Sequence, residues 1–252
     1  QMLVDTTVET YADLFNAAGY ETAYIGKWHL AGHMGQNPDG TPDPHWNPRI
    51  NGRFKDATYM YNNGHWKNIV DVEGGLPRVS TRISDNPNEY GTDWIFQKGF
   101  EYISKHKDQP FCLVLSPPDP HPALKVRAPY DTAVEASSLS VPASFDASNL
   151  VNQSVANPCD YDDKATLRKN KAQYLGMVLC LDDYVGKLVS HLRKEGVYDN
   201  TIVIFTSDHG EMTGESRLKG NAVPYNTAYQ LPLIVRITGN NAPTSLKAAS
   251  RN

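Results

Sequence analysis

Hydrophobic positions along the chain switch between a helical stripe and short unbroken runs, and the switches mark its elements. Residues 6–18 place Val8, Tyr11, Leu14, Phe15 and Ala18 on one stripe, with Thr6 or Thr7 able to cap the start and Gly19 suited to the end. TAYIG (22–26) is a short apolar run and reads as a strand. From 31 to 90, Gly, Pro, Asn and Asp dominate, so this stretch reads as long loops, with NNG (62–64) as the place for a hairpin. TDWIFQKGFEYISKH (92–106) spaces Trp94, Ile95, Phe100 and Ile103 as a helix does, although Gly99 weakens the pattern. PFCLVLSPP (110–118) is a buried strand stopped by prolines, and 125–163 is again irregular. The strongest helix covers 164–195, where Tyr174, Val178, Leu181, Val185, Leu188 and Leu192 recur at steps of four and three before Gly196. TIVIFTSD (201–208) is β-branched and nearly continuous, the pattern of a strand buried on both faces, and PLIVRI (232–237) is another strand. Helices alternating with apolar strands predict an α/β fold, a mainly parallel sheet flanked by helices.

Composition narrows the class. The chain has 252 residues, 40% apolar and 21% charged, which is ordinary for a globular protein able to bury one sizeable core. A net charge of −4 gives no support to a nucleic-acid surface. No window approaches the roughly 18 apolar residues of a membrane helix. The opening QMLVDTTVETYADLF is amphipathic rather than a signal peptide, and it does not start with Met, so the natural start can lie elsewhere. Cys112, Cys159 and Cys180 show no metal-like spacing; Cys112 and Cys180, in an apolar run and on a helical face, read as inert buried thiols.

Candidate chemistry sits at strand ends. Lys27 and His29 follow the first strand, Asp119 and His121 the second, and Asp208 and His209 the third. One such pair alone is most simply a solvated loop. In an open α/β sheet, however, ligands bind at the carboxyl ends of the strands, and parallel strands bring these groups to one edge. Lysine and histidine cations suit an oxyanion, and a carboxylate can hold a metal beside it.

With these residues in view, GYETAYIGKWHL, PFCLVLSPPDPHP and NTIVIFTSDHGEMTGE…K…PY…LPLIVR resemble successive motifs of the formylglycine-dependent sulfatases, within the alkaline-phosphatase-like superfamily. The likeness runs from about residue 7 to 237 in the family's order, and G-K-W-H and S-D-H-G are its specific segments. It implies that Lys27 contacts the sulfate and that His29 hydrogen-bonds a hydrated formylglycine and helps it release sulfate. His121 would contact the ester and act as acid for the leaving alcohol, since imidazole titrates near neutrality. Asp208 and His209 match two metal ligands, the metal being calcium or alternatively magnesium. Lys219 would reach the sulfate and the bridging oxygen. Calcium at His209 rests on the resemblance, because a hard cation prefers oxygen donors. Asp182 and Asp183 resemble an acidic pair but lie within the best helix and read as its surface; His33, His45, His65, His106 and His191 read as ordinary residues.

Two departures qualify the resemblance. No C-x-P-x-R or S-x-P-x-R segment, source of the family's nucleophile, occurs in the chain, and the first strand with its two metal-binding aspartates is not recognisable. The expectation is a single partial catalytic domain over 1–252, without the N-terminal strand and the C-terminal subdomain, and inactive by itself. Second, the family's lysine usually stands four residues before the tyrosine of P-Y; here Asn221 holds that place and Lys219 stands six before Tyr225. Either the loop is longer by two residues or the sulfate contact is altered. The complete protein would hydrolyse a sulfate monoester, of a carbohydrate or an aryl alcohol, by attack of a formylglycine hydrate at sulfur. The alternatives are a phosphodiesterase or phosphonate hydrolase of the same superfamily, and a non-catalytic anion- or glycan-binding remnant. Expected partners are small-molecule or glycan sulfate esters, with no nucleic acid and no membrane span. Family habit favours export, and oligomeric state is left open.

Overall fold

The computed structural model describes residues 5, 7–30, 46, 48, 52–84, 86–146, 163–221 and 223–237. The chain divides into two compact units, Gln1–Val141 with Tyr161–His191, and Pro142–Asp160 with Leu192–Asn252.

The first unit is built on strand β1 (Glu21–Lys27), flanked by β2 (Met60–Tyr61) and β5 (Phe111–Ser116). Both neighbours are parallel to β1; its register runs from Glu21 opposite Phe111 to Gly26 opposite Ser116, and Lys27 opposes Tyr61. The strand alternates between two cores, as its two-residue period requires. Ala23 and Ile25 pack with Trp94, Ile95 and Tyr102 of helix α2 (Gly91–His106), while Tyr24 packs with Ala12 of helix α1 (Tyr11–Ala17), Phe54 and Met60. Helices therefore cover both sides, the arrangement of an α/β sheet. A third core joins Tyr90, Phe96 and Val126 to Met177, Cys180, Leu181 and Tyr184 of helix α3 (Lys164–Lys194).

Several expectations are corrected here. Helix α1 begins at Tyr11, not at residue 6: the Asp13 carboxylate accepts from the Thr10 amide at 2.8 Å and hydroxyl at 3.1 Å, so Thr10 is the cap. Its inward residue is Ala12, small enough for close approach to β1, and the stripe through Val8, Tyr11, Leu14 and Phe15 is exposed. The hairpin is not at NNG; β3 (Asn68–Val70) pairs antiparallel with β4 (Arg78–Ser80) across residues 71–77. In α3 the buried stripe is Leu167, Met177, Cys180, Leu181, Tyr184 and Leu192, and Val178 faces out. Cys180 behaves as the inert thiol expected, because burial pushes it up to about 12. Cys159 lies outside the described residues.

Gly26 carries a specific load. Its φ is +112°, and an added Cβ would collide with the Ser116 carbonyl across the β1–β5 ladder. Gly26→Ala is expected to destabilise the protein by about 2 kcal/mol or more, combining positive-φ strain with a backbone clash. A urea titration of both proteins checks this.

The second unit holds an antiparallel pair, β6 (Val203–Thr206) with β9 (Leu233–Arg236), and a short hairpin of β7 (Met212–Thr213) with β8 (Lys219–Gly220). Helix α4 (Asn226–Tyr229) separates the last two strands. Its core is Met212, Leu218 and Val223. The expectation that β6 is buried on both faces is not met: Ile204 is 62% exposed, and β6 pairs with β9. A β-branched run fixes strand propensity but not which neighbour it finds.

Candidate functional site

In the first unit, three strand ends deliver polar side chains. Lys27 is the last residue of β1, and its carbonyl is held by the Tyr24 hydroxyl at 2.7 Å and the Ser116 hydroxyl at 2.9 Å. The chain then stays alongside β2, with the Trp28 amide donating to Tyr61 and the His29 amide to Asn62. His29 takes a positive φ of 59°, uncommon for a residue with a side chain. His121 follows β5 and the two prolines, its amide donating to Pro118 at 2.9 Å. Its Nδ1 lies 2.6 Å from the Pro122 carbonyl, which fixes the proton on Nδ1 in the neutral ring and makes Nε2 the atom that takes up or releases a further proton.

The residue that joins these groups was read from sequence as ordinary. His65, four residues past β2, places Nε2 2.7 Å from Lys27 Nζ and stacks on His121 with ring centroids 3.5 Å apart and planes 9° apart. Lys27 and His121 are thus linked through one imidazole. Burial, then the charges of Lys27, His121, His29 and Lys67, pull the His65 pKa down to about 3. A neutral His65 is consistent with its accepting from an ammonium. The available signal was the rule applied to the other strands, polar residues following a strand; β2 has two residues and was hidden in a loop-like context.

Asp119, expected at the same edge, has a different task. It is buried, and accepts from Lys67 Nζ at 2.6 Å, the Tyr90 hydroxyl at 2.5 Å and the Thr92 hydroxyl at 2.7 Å. Lys67 also lies 3.5 Å from the His121 carbonyl and 3.1 Å from Met177 Sδ. The pair neutralises itself and braces the loop that carries His121.

In the second unit, Asp208 and His209 follow β6. The Asp208 side chain is 86% exposed, and its Oδ2 is 3.5 Å from His209 Nε2. The His209 Nδ1 donates to the Gly210 carbonyl at 2.8 Å, which leaves the lone pair of the neutral ring on Nε2. Gly210 is needed because a Cβ there would run into the Thr227 carbonyl. Asn221 brings its amide nitrogen 3.0 Å from His209 Nε2, whereas Lys219 lies on β8 opposite Thr213. Glu211, not singled out from sequence, has its carboxyl raised by burial, an effect opposed by a Gly220 backbone bond and the nearby His209. Asp208 and His209 fit as two donors to a cation, yet no group of three or more His, Cys, Asp or Glu able to hold a metal occurs among the described residues. Asp182 and Asp183 lie on the exposed face of α3, as expected, and Asp183 accepts from Tyr130 at 2.5 Å. His33 and His45 lie outside the described residues.

The sulfatase family model matches residues 4–252. An uncharacterised sulfatase of Escherichia coli (strain K12) is 30% identical over 253 residues, covering 91% of this chain and 47% of its own length. An ulvan-active sulfatase of Formosa agariphila is 26% identical over 238 residues, covering 90% of this chain and 40% of its own. Among solved structures, a phosphonate monoester hydrolase of Agrobacterium radiobacter superposes with a TM-score of 0.71 at 19% identity, covering 93% of this chain and 53% of its own. That likeness shows the α/β fold. The chain spans about half or less of the length of the curated relatives it matches.

Proposed function

The chain belongs to the sulfatase family, and from that premise we propose that it carries part of the active site of a sulfuric ester hydrolase. The substrate is a sulfate monoester of a carbohydrate or an aryl alcohol. One observation carries the reading: Lys27 and His121, from the ends of two parallel strands, are tied to the same ring of His65. A cation and a proton donor held together suit an ester that is anionic and must lose an alcohol.

In this reading Lys27 binds the sulfate oxygens and offsets the charge that develops on them. His121 gives a proton from Nε2 to the leaving oxygen, with Lys219 as the alternative donor. His29 would hydrogen-bond the nucleophile and take its proton when sulfate departs. A formylglycine hydrate, for which this chain holds no C-x-P-x-R or S-x-P-x-R source, would supply the attacking oxygen, and Asp208 and His209 would give two of the donors to a calcium or magnesium ion whose chemistry would be to polarise the sulfate. Export is part of the same proposal; no described helix is long and apolar enough to cross a membrane.

The test is turnover by the full-length protein of 4-nitrophenyl sulfate and of a matched phosphonate monoester. Faster sulfate release supports the proposal; faster phosphonate cleavage favours the second reading, which the fold likeness to a phosphonate monoester hydrolase motivates. Chelation is expected to lower activity and calcium to restore it. Activity unchanged after exhaustive dialysis against chelator removes Asp208 and His209 from the metal role.

A further inference from the structure

We propose that His65 is the positioning residue of this site, serving two groups at once: its Nε2 accepts from the Lys27 ammonium, and its ring face holds the imidazole of His121. The inference rests on the sulfatase reading for the reaction it serves, but its geometry is independent of which ester is cleaved.

An unanchored lysine is costly to use in binding. A four-carbon stem loses much rotamer freedom when its ammonium must meet one oxyanion, so an acceptor that holds it beforehand lowers the entropy paid on binding. A carboxylate would hold Lys27 more strongly, but it would also cancel the charge and repel a sulfate. Neutral imidazole anchors without neutralising. The 2.7 Å Nζ to Nε2 distance is that of a hydrogen bond in which Lys27 donates. This assigns the His65 proton to Nδ1. Burial disfavours a second proton on the ring, and so do the charges of Lys27, His121, His29 and Lys67, all cationic or able to become so.

The second contact is the stack. Ring centroids 3.5 Å apart at 9° leave His121 little freedom to tilt. Its Nδ1 bond to the Pro122 carbonyl fixes rotation within the plane. Together these two contacts aim Nε2, the atom that would deliver a proton. Geometry of this quality matters because proton transfer requires heavy atoms within about 3.2 Å.

The two contacts can be separated by substitution. His65→Phe keeps a ring for His121 and removes the acceptor for Lys27. His65→Gln keeps an acceptor near the Nε2 position and removes the ring. In the full-length protein, assayed on 4-nitrophenyl sulfate and on an alkyl sulfate, His65→Phe is expected to raise KM about tenfold and to lower kcat/KM by the same or a larger factor on both esters alike. His65→Gln is expected to hold KM and lower kcat on the alkyl ester about tenfold, since only a poor leaving group needs the acid. Equal losses in both variants, or none in either, overturn the proposal. Should either variant fold poorly, nitrogen NMR of the wild-type protein decides: His65 is expected as the neutral Nδ1–H tautomer down to pH 5. Titration near 6.5, or a proton on Nε2, overturns it. If the wild type cleaves the phosphonate and not the sulfate, the sulfatase reading falls while the same comparison, made on the phosphonate, still judges His65.

Discussion

Replacement of His121 by alanine is expected to lower kcat/KM on an alkyl or sugar sulfate by about 10²- to 10⁴-fold, the range for loss of a positioned general acid. On 4-nitrophenyl sulfate the loss should be far smaller, because nitrophenolate departs without a proton. The structure gives the reason for choosing this residue. His121 is held from three directions: by its amide bond to Pro118, by Nδ1 against the Pro122 carbonyl, and by the face of His65. A surface loop histidine needs none of these. The measurement is a pair of kinetic series, wild type and His121→Ala, across esters of graded leaving-group pKa. A general acid makes the variant's dependence on leaving-group pKa steeper than that of the wild type. Parallel lines for the two proteins would move the role of acid to Lys219 and leave His121 as a binding residue.

How far the sequence could foresee this site depends on how local each signal is. Strand β1 and helix α2 were legible because Ala23, Tyr24 and Ile25, and then Trp94, Ile95 and Ile103, are apolar at the spacing of their element. Lys27, His29 and His121 were legible because they follow such runs at once and belong to motifs that resemble a family's. His65 was not, since β2 is a two-residue strand whose existence depends on pairing with Gly26 and Lys27. No window of sequence contains that pairing. Asp119 was placed at the right edge with the wrong neighbours: its partner Lys67 is 52 residues away and itself sits in a region read as loop. Strand β6 shows the same limit, for its own residues predict extension while the antiparallel partner β9 lies beyond a hairpin and a short helix. Patterns report what a residue prefers, and long-range partners decide what it touches.

The buried pair behind His121 leads to the second large effect. Asp119→Ala is expected to destabilise the first unit by about 3–5 kcal/mol, the cost of leaving a buried charge without its counterion. That is a large share of the roughly 5–15 kcal/mol that holds a typical domain together. Lys67 and Asp119 side chains are only 1% and 2% exposed, so water cannot replace the lost partner. Among the described residues the Lys67 ammonium would retain Met177 Sδ at 3.1 Å and the His121 carbonyl at 3.5 Å, and the Tyr90 and Thr92 hydroxyls would lose their common acceptor. Charge, rather than lost packing, should dominate. Adding Lys67→Met to Asp119→Ala removes the stranded ammonium and leaves the same two hydroxyls without their common acceptor, so the double variant is expected to be more stable than Asp119→Ala alone. Urea titrations of the wild type, both single variants and the double variant measure the coupling directly. Additive losses would mean that the pair contributes nothing beyond its two side chains separately. A strong coupling, together with weaker activity in each single variant, would tie the stability of this unit to the loop that aims His121.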